Sequence, residues 1–171
     1  EPFTVFSLLG VINAINLAAS TLTSNLAVTA GGAVTNTGNL AVAGTTTVTA
    51  TGQNVTLGSA GNDFTGAVSV TGANVTVTDT NAIVLGASTV TGTYGVTAGG
   101  AVTNTGALVI TGASTVSAPG QNVTLNQAAN NFGGAVSITG QNVTVTDVNA
   151  LVLGASTVTG TLGVTFWPGA E

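Results

Sequence analysis

The feature of this sequence that most restricts its fold is a long internal repeat. Residues 26–93 align with residues 94–161 without a gap and are identical at 49 of 68 positions. The repeat extends further, because NAINLAAST at residue 13 matches NAIVLGAST at residue 81 and NALVLGAST at residue 149. Each copy must therefore fold into a unit that can stack on its neighbours.

Within each copy, short apolar runs in which every second residue is small and polar predict β-strands. Nine such runs can be counted in residues 26–93, separated by Gly, Asn, Asp and Ser, which favour turns. We interpret the nine runs as three coils of three strands, with about 23 residues per coil. The predicted fold is an all-β, right-handed parallel β-helix (β-solenoid) with three strands per coil and about seven coils.

The same alternation predicts which side chains form the core. Val75 and Val77 should point inward and Thr76 outward, so that stacked coils align their valines in columns. Phe64 and Phe132 occupy equivalent positions and are expected to fill a widened corner.

The predicted solenoid covers residues 13–165, and both ends of the sequence depart from the repeat with bulky residues. We expect residues 1–12 and 166–171 to be either caps or contacts between subunits. The second interpretation gives a homo-oligomer, a head-to-tail filament, and the scarcity of repulsive charge favours it. The candidate end-to-end contact residues are Phe3, Phe6, Phe166, Trp167 and Pro168.

Composition excludes most kinds of partner. The chain has no Lys, Arg, His, Cys or Met, and its net charge is −5. Without cationic side chains it is not expected to bind nucleic acid, and without Cys and His no disulfide, zinc or haem site is expected. The most apolar stretch contains Asn13 and Asn16 and is marginal for a spanning helix, so membrane insertion is not expected. No cofactor, metal or small-molecule substrate is expected either.

The aspartates do not form an expected catalytic pair. Stacking would place Asp79 and Asp147 about 14 Å apart, beyond the roughly 5 to 9.5 Å that glycoside hydrolysis needs. Asp63 precedes a different strand, and one carboxylate per corner falls short of the oxygen ligands of calcium. We therefore predict that the protein is not an enzyme and that these residues form Asx-turns at corners.

The tripeptide NVT occurs four times, at Asn54, Asn74, Asn122 and Asn142. Each copy matches the acceptor pattern for N-glycosylation. The alternative is that these side chains occupy corners and hydrogen-bond to their counterparts above and below, as in amide ladders.

Two kinds of outward-facing residue are candidate interaction sites. Threonines in alternation resemble the flat hydroxyl faces of solenoidal ice-binding proteins, although Thr is also simply a good exposed strand residue. The two rows are Thr47, Thr49 and Thr51, and Thr76, Thr78 and Thr80. Val84 and Val152 are predicted to face solvent and are the candidate lateral contacts between fibres.

Three segments carry a resemblance to a known family: AVTAGGAVTNTGNLAVAG, QNVTLGSAGNDF and ANVTVTDTNAIVLGAS. They resemble the repeats of filamentous-haemagglutinin-type exoproteins, the large adhesins of two-partner secretion. The resemblance implies a right-handed β-helix that is exported to the cell surface. The expected function is a non-enzymatic structural protein of a surface fibre or filament. The alternatives are an adhesin shaft that binds a glycan or receptor, and an ice-binding surface.

Overall fold

The computed structural model describes residues 5–7 and 13–166. In this part of the chain every regular element is a β-strand, and every strand pair is parallel. Successive strands take three sides of a coil in rotation, so the predicted β-solenoid with three strands per coil is confirmed. The right-handed sense of the coil stays a prediction.

The strands of each side follow one another along the solenoid axis. The first side contains β1 (Val5–Ser7), β4 (Leu26–Thr29), β7 (Thr46–Thr49), β10 (Val68–Gly72), β13 (Ser88–Val90), β16 (Leu108–Ile110) and β19 (Asn131–Phe132). The second contains β2 (Ile15–Leu17), β5 (Val34–Asn36), β8 (Val55–Leu57), β11 (Val75–Asp79), β14 (Tyr94–Ala98), β17 (Ser114–Ser117), β20 (Val136–Gly140) and β22 (Thr157–Val158). The third contains β3 (Ser20–Leu22), β6 (Leu40–Val42) and β9 (Asp63–Phe64) and ends there. A further ladder starts from β10 of the first side and contains β12 (Ile83–Leu85), β15 (Val102–Asn104), β18 (Val123–Leu125), β21 (Val143–Asp147) and β23 (Leu162–Phe166).

Hydrogen bonding divides these strands into three sheets. The second side is one 8-stranded sheet, and β3, β6 and β9 form a 3-stranded sheet. The first side and the ladder from β12 to β23 join into a 12-stranded sheet at β10. There Val68 pairs with Leu85 of β12, whereas Thr71 pairs with Thr89 of β13.

The coil is shorter than the sequence predicts. Along the first side, Thr29 pairs with Thr49, Thr49 with Thr71, and Thr71 with Thr89, which gives sequence offsets of 20, 22 and 18. Three coils therefore take fewer residues than one repeat contains. The remaining residues of the repeat form one more strand and its turn. Counting the segment 151–153, whose Leu153 forms a bridge with Val136, the described chain has 24 strand positions in eight coils rather than about seven.

Each repeat contains ten strand positions instead of the nine predicted. Because a coil has three strands, the second copy begins one side further round the coil than the first copy. Asp79 lies in β11 and pairs with Ala98 in the 8-stranded sheet, whereas its equivalent Asp147 lies in β21 and pairs with Phe166 in the 12-stranded sheet. The expectation that equivalent positions of the two repeats lie on top of one another is therefore wrong. The columns of stacked side chains are formed by strands that lie one coil apart. These strands share the alternation of apolar and polar residues, but they occupy different positions in the repeat.

The core is a continuous apolar column inside the coils. Val75 and Val77 are buried and Thr76 is exposed, and Phe64 and Phe132 are buried at equivalent corners, as predicted. Extended apolar burial of this kind is the main term that stabilises the fold.

One large core residue carries a buried polar group. Tyr94 lies between Val75 and Ser114 in the second side, at the repeat position that Leu26 and Leu162 occupy. Its hydroxyl has no hydrogen-bond partner among the described residues. Ser88 lies beside it, but the Ser88 hydroxyl already accepts from the Val70 amide and donates to the Gly86 carbonyl oxygen. Burial raises the pKa of Tyr94 well above its usual value.

A wide corner accounts for the largest of the three offsets. Residues 58–62 form an extra turn in which the Asn62 amide donates to the Ser59 carbonyl oxygen at 3.1 Å. The Asn62 side chain is fully buried: its oxygen accepts from the Leu40 amide at 2.9 Å and from Asn36 Nδ2 at 2.8 Å.

The amide group of Asn62 also donates to the Leu57 carbonyl oxygen at 3.2 Å, so one side chain joins the corner to the coil before it. In the second repeat Asn130 makes the equivalent contacts with Leu108, Asn104 and Leu125. Neither asparagine was predicted to have this role, although both lie two residues before the phenylalanine of the corner.

Replacing Tyr94 tests the cost of its buried hydroxyl. Tyr94→Phe removes a polar group without a partner, so its free energy of unfolding should equal or exceed that of the parent by up to about 1 kcal/mol. Tyr94→Leu, the residue that the repeat uses elsewhere, should lose about 2 kcal/mol because it leaves a cavity. Urea unfolding followed by circular dichroism measures both, and a Phe variant less stable than the Leu variant would contradict the assignment.

Replacing Asn62 tests the corner. Asn62→Ala removes the hydrogen bonds that its side chain makes to the Leu40 amide and the Leu57 carbonyl oxygen, and we expect a loss of about 3 kcal/mol in urea unfolding. Asn81→Ala is the matched control, because its exposed side chain makes one hydrogen bond of 3.3 Å, to Asp63, and should cost less than about 1 kcal/mol. Equal losses would show that Asn62 does not hold the corner.

Candidate functional site

Asp63, Asp79 and Asn81 form a cluster directly after the wide corner of residues 58–62, and we call this cluster the acid–amide corner. Asp79 is buried, and its carboxylate accepts from the Phe64 amide at 3.1 Å and from the Asn81 amide at 3.0 Å. The side chain of Asn81 donates to Asp63 Oδ1 at 3.3 Å. The structure thus brings together Asp63 and Asp79, which the sequence placed on different strands.

The partners of this corner are backbone and side-chain groups of the chain itself. The bond from the Asn81 amide to Asp79 is the predicted Asx-turn, and Asn149 repeats it with Asp147 at 3.2 Å. Asn131 replaces Asp63 in the second repeat and accepts from Asn149 Nδ2 at 3.1 Å. Because an amide oxygen substitutes for a carboxylate there, the corner requires a hydrogen-bond acceptor and not a negative charge.

The acid–amide corner offers little to a metal ion. Among the residues that the structure describes, no group of three or more His, Cys, Asp or Glu side chains could hold a metal. In the same residues no helix is long and apolar enough to cross a membrane.

The four NVT asparagines form the predicted ladders at a corner. Asn74 donates through Nδ2 to Asn54 Oδ1 at 3.0 Å, and the Thr93 amide and hydroxyl both donate to Asn74 Oδ1. Asn122, Asn142 and Thr161 repeat this arrangement in the second copy. All four asparagines are exposed, and glycosylation stays a prediction at each of them.

The second side carries a column of hydroxyl groups. Register pairs place five residues of successive strands in line: Thr78, Thr97, Ser117, Thr139 and Thr157. The neighbouring column, which includes Thr76 and Thr115, is interrupted by Gly95. The predicted rows of three threonines along a strand are shorter in the structure, because Thr51 and Thr80 lie beyond the ends of β7 and β11.

The last coil forms an apolar open end of the solenoid. Strand β23 pairs with β21, in register Val143 with Leu162 and Val145 with Val164. Its inward positions have no coil above them in the described residues, so Leu162 is 46% exposed and Phe166 61% exposed. Val148, Val152 and Leu153 in the same coil are also exposed. We call residues 148–166 the terminal coil.

The candidate contact residues fall partly outside the described chain. Phe3, Trp167 and Pro168 lie outside the described residues, and Phe6 is described only by its backbone, which pairs with Val28 in β1. Phe166 is exposed on the terminal coil, and its role in subunit contacts stays a prediction.

The candidate lateral contacts differ from each other. Val84 is half-buried in β12, whereas Val152 is 57% exposed in the terminal coil. Val109 was not among the predicted contacts, although it is 41% exposed on β16, where the first repeat has Ala41. Lateral association through these residues stays a prediction.

Comparison with known proteins gives one family. Its model, described as repeats of unknown function (DUF5649), matches residues 8–71, 72–139 and 140–169. The central match is as long as one copy of the internal repeat. No curated protein and no solved structure matches the chain.

The acid–amide corner predicts how stability depends on pH. Burial, with the nearby Asp63 carboxylate, raises the pKa of Asp79, so the folded state holds this proton more tightly than the unfolded state. The contribution of Asp79 to the free energy of unfolding should therefore be largest below its unfolded pKa of about 4 and should decrease as pH rises above it.

Urea unfolding at a series of pH values checks this, with Asp63→Asn as the matched variant because the second repeat already has Asn131 there. The decrease with rising pH should be smaller in Asp63→Asn, which removes the neighbouring charge. A stability that rises with pH across the titration of Asp79 would contradict the assignment.

Proposed function

The chain belongs to this family of repeats, and from that membership and the solenoid fold we propose that it is a non-enzymatic structural protein, a rigid rod of an extracellular fibre or filament. The observation that carries the proposal is the continuous 8-stranded parallel ladder, whose internal strands are paired on both edges.

The ladder supports a mechanical role. Each internal strand of the 8-stranded sheet has a parallel neighbour on both sides, so bending the rod requires many hydrogen bonds to distort together. Corners are held by side-chain bonds such as those of Asn62 and Asn74. Because the chain has no Lys or Arg, trypsin has no cleavage site in it.

The open end supports assembly. Exposed strand edges invite pairing with another chain, and a heterologous contact that does not close produces a filament. The terminal coil contains no ionisable side chain, and neither do residues 13–22 at the other end. Electrostatic repulsion between the described residues of the two ends would therefore be weak, and Glu1 and Glu171 lie outside those residues.

The location and the finer family assignment are part of the proposal. The resemblance to filamentous-haemagglutinin-type repeats supports export to the cell surface, where such a rod would serve as a fibre or as an adhesin shaft. Loss of binding to a glycan or receptor after changes on one exposed side, with filaments unaffected, would favour the adhesin.

A second candidate function is an ice-binding surface, which the hydroxyl column from Thr78 to Thr157 favours. Five hydroxyl side chains follow one another about 4.8 Å apart on one side of the solenoid. Thermal hysteresis in the purified protein, abolished by Thr97→Tyr and Thr139→Tyr, would support it over the structural function.

Electron microscopy of the purified chain tests the filament. We expect long fibres with an axial repeat of about 38 Å, which is eight coils at about 4.8 Å each. Leu162→Asp places a charge on the open end, and this variant should give short rods instead of fibres.

Val109→Asp is the matched control, because it also charges an exposed apolar site but on the side of an internal coil. It should leave end-to-end fibres intact, and circular dichroism should show both variants folded. Short discrete rods for the unmodified chain would count against the proposed filament.

A further inference from the structure

Each copy of the internal repeat carries a face of small, mostly hydroxyl side chains that point outward in two neighbouring columns. In the first copy, register pairs place Ala27 beside Thr47 in one column and Thr29 beside Thr49 in the other. The first hydroxyl face consists of Ala27, Thr29, Thr47, Thr49, Ser69, Thr71 and Thr89. The equivalent residues of the second copy form the second hydroxyl face: Gly95, Thr97, Thr115, Ser117, Ser137, Thr139 and Thr157. All of these residues are exposed or half-buried.

The two hydroxyl faces lie on adjacent sides of the solenoid. The first face is on the first side, and the second face belongs to the 8-stranded sheet of the second side. This placement follows from the ten strand positions in each repeat, which move every feature of the repeat one side further round the coil. One chain therefore presents the same surface in two directions.

Both faces are uncharged and self-complementary. Neither contains an ionisable side chain, and Asp79 and Asp147 are buried away from them. Each hydroxyl group both donates and accepts, so two like faces can hydrogen-bond to each other. Small side chains also let two sheets approach closely and interdigitate, as in the dry interfaces between paired sheets. Electrostatic repulsion does not oppose such a contact.

The spacing of the columns favours a second copy of this chain as the partner. Successive members of a column lie about 4.8 Å apart, which is the distance between stacked strands. Every copy of the chain has this spacing. Two copies lying side by side therefore keep their columns in register along the whole face, whereas a polymer of another period would lose register.

A single pair of faces is too small for a stable dimer. Four coils of three-residue strands cover about 200 Å² on each face, whereas a stable interface buries about 800 Å² on each partner. The contact gains strength where many copies lie in line, because the contacts along a rod act together.

We infer that second copies of this chain dock laterally on both hydroxyl faces, so that the rods of the proposed fibre pack side by side into bundles. The inference rests on the proposed structural function and adds lateral packing to it. Because the two faces point in different directions, each chain contacts two neighbours, and the association is not limited to pairs.

Chemical cross-linking tests both faces, because the chain has no Cys of its own. Thr49→Cys places a thiol on the first face, and Ser117→Cys places one at the equivalent position of the second face. A bis-maleimide that spans about 10 Å, the distance between stacked sheets, should link facing thiols. On a denaturing gel each single variant should give dimers, and the full-length Thr49→Cys/Ser117→Cys variant should give a ladder of larger oligomers.

Thr144→Cys is the matched control. Thr144 is also an exposed threonine in the middle of a strand, β21, but it lies outside both faces. Thr146, two residues further along, is buried, so a second outward column is missing at that point. We expect at least about tenfold more dimer from each test variant than from this control, because facing thiols have a high effective concentration. Circular dichroism should show that all variants are folded.

Three outcomes would overturn the inference: equal linking in the test variants and the control, linking through one face only, or no oligomer larger than a dimer from the double variant. If electron microscopy shows fibres but linking does not exceed the control, lateral packing is wrong and the structural function stands. Linking above the control without fibres would support the two faces and count against the end-to-end filament. If neither fibres nor links form, both proposals fail.

Discussion

The structure depends on the parallel pairing of each coil with the next. A single coil has unpaired backbone groups on both edges and an open apolar centre, and neither is satisfied until a neighbour stacks on it. Stacking satisfies both at once, because the translation that aligns strand edges also aligns inward valines and leucines. Among the described residues the same requirement is least satisfied at the terminal coil, where Leu162 and Phe166 are exposed.

The repeat is one strand longer than three coils, and this difference in length decides where polar side chains lie on the surface. Because each repeat holds ten strand positions, a feature of one copy reappears on the next side in the following copy. The acid–amide corner of Asp79 and its counterpart around Asp147 therefore lie in different sheets. A surface array must instead be read along one side, as with the column from Thr78 to Thr157, whose members come from non-equivalent places in the repeat.

Buried polar side chains compensate for irregularity in the coil. The wide corner adds residues that cannot pair in the ladder, and Asn62 supplies both an acceptor and a donor to the backbone groups left over. Asp79 acts in the same way for the amides of Phe64 and Asn81. These positions look chemically reactive in the sequence, but their partners are internal, so their contribution is to the shape of the rod.

The alternation of Val75, Thr76 and Val77, the corner asparagines of the NVT motifs and the buried Phe64 could all be predicted from the sequence, because each depends on local period or turn chemistry. The role of Asn62, the proximity of Asp63 to Asp79 and the exposure of Val109 could not, since they depend on which residues lie one coil away. By itself the sequence determined that strands must stack in a repeating coil. Only the tertiary structure decided the coil length and the rotation between repeats, because the sequence offset between stacked strands changes from 20 to 22 to 18 where corners widen and narrow to keep inward side chains in contact.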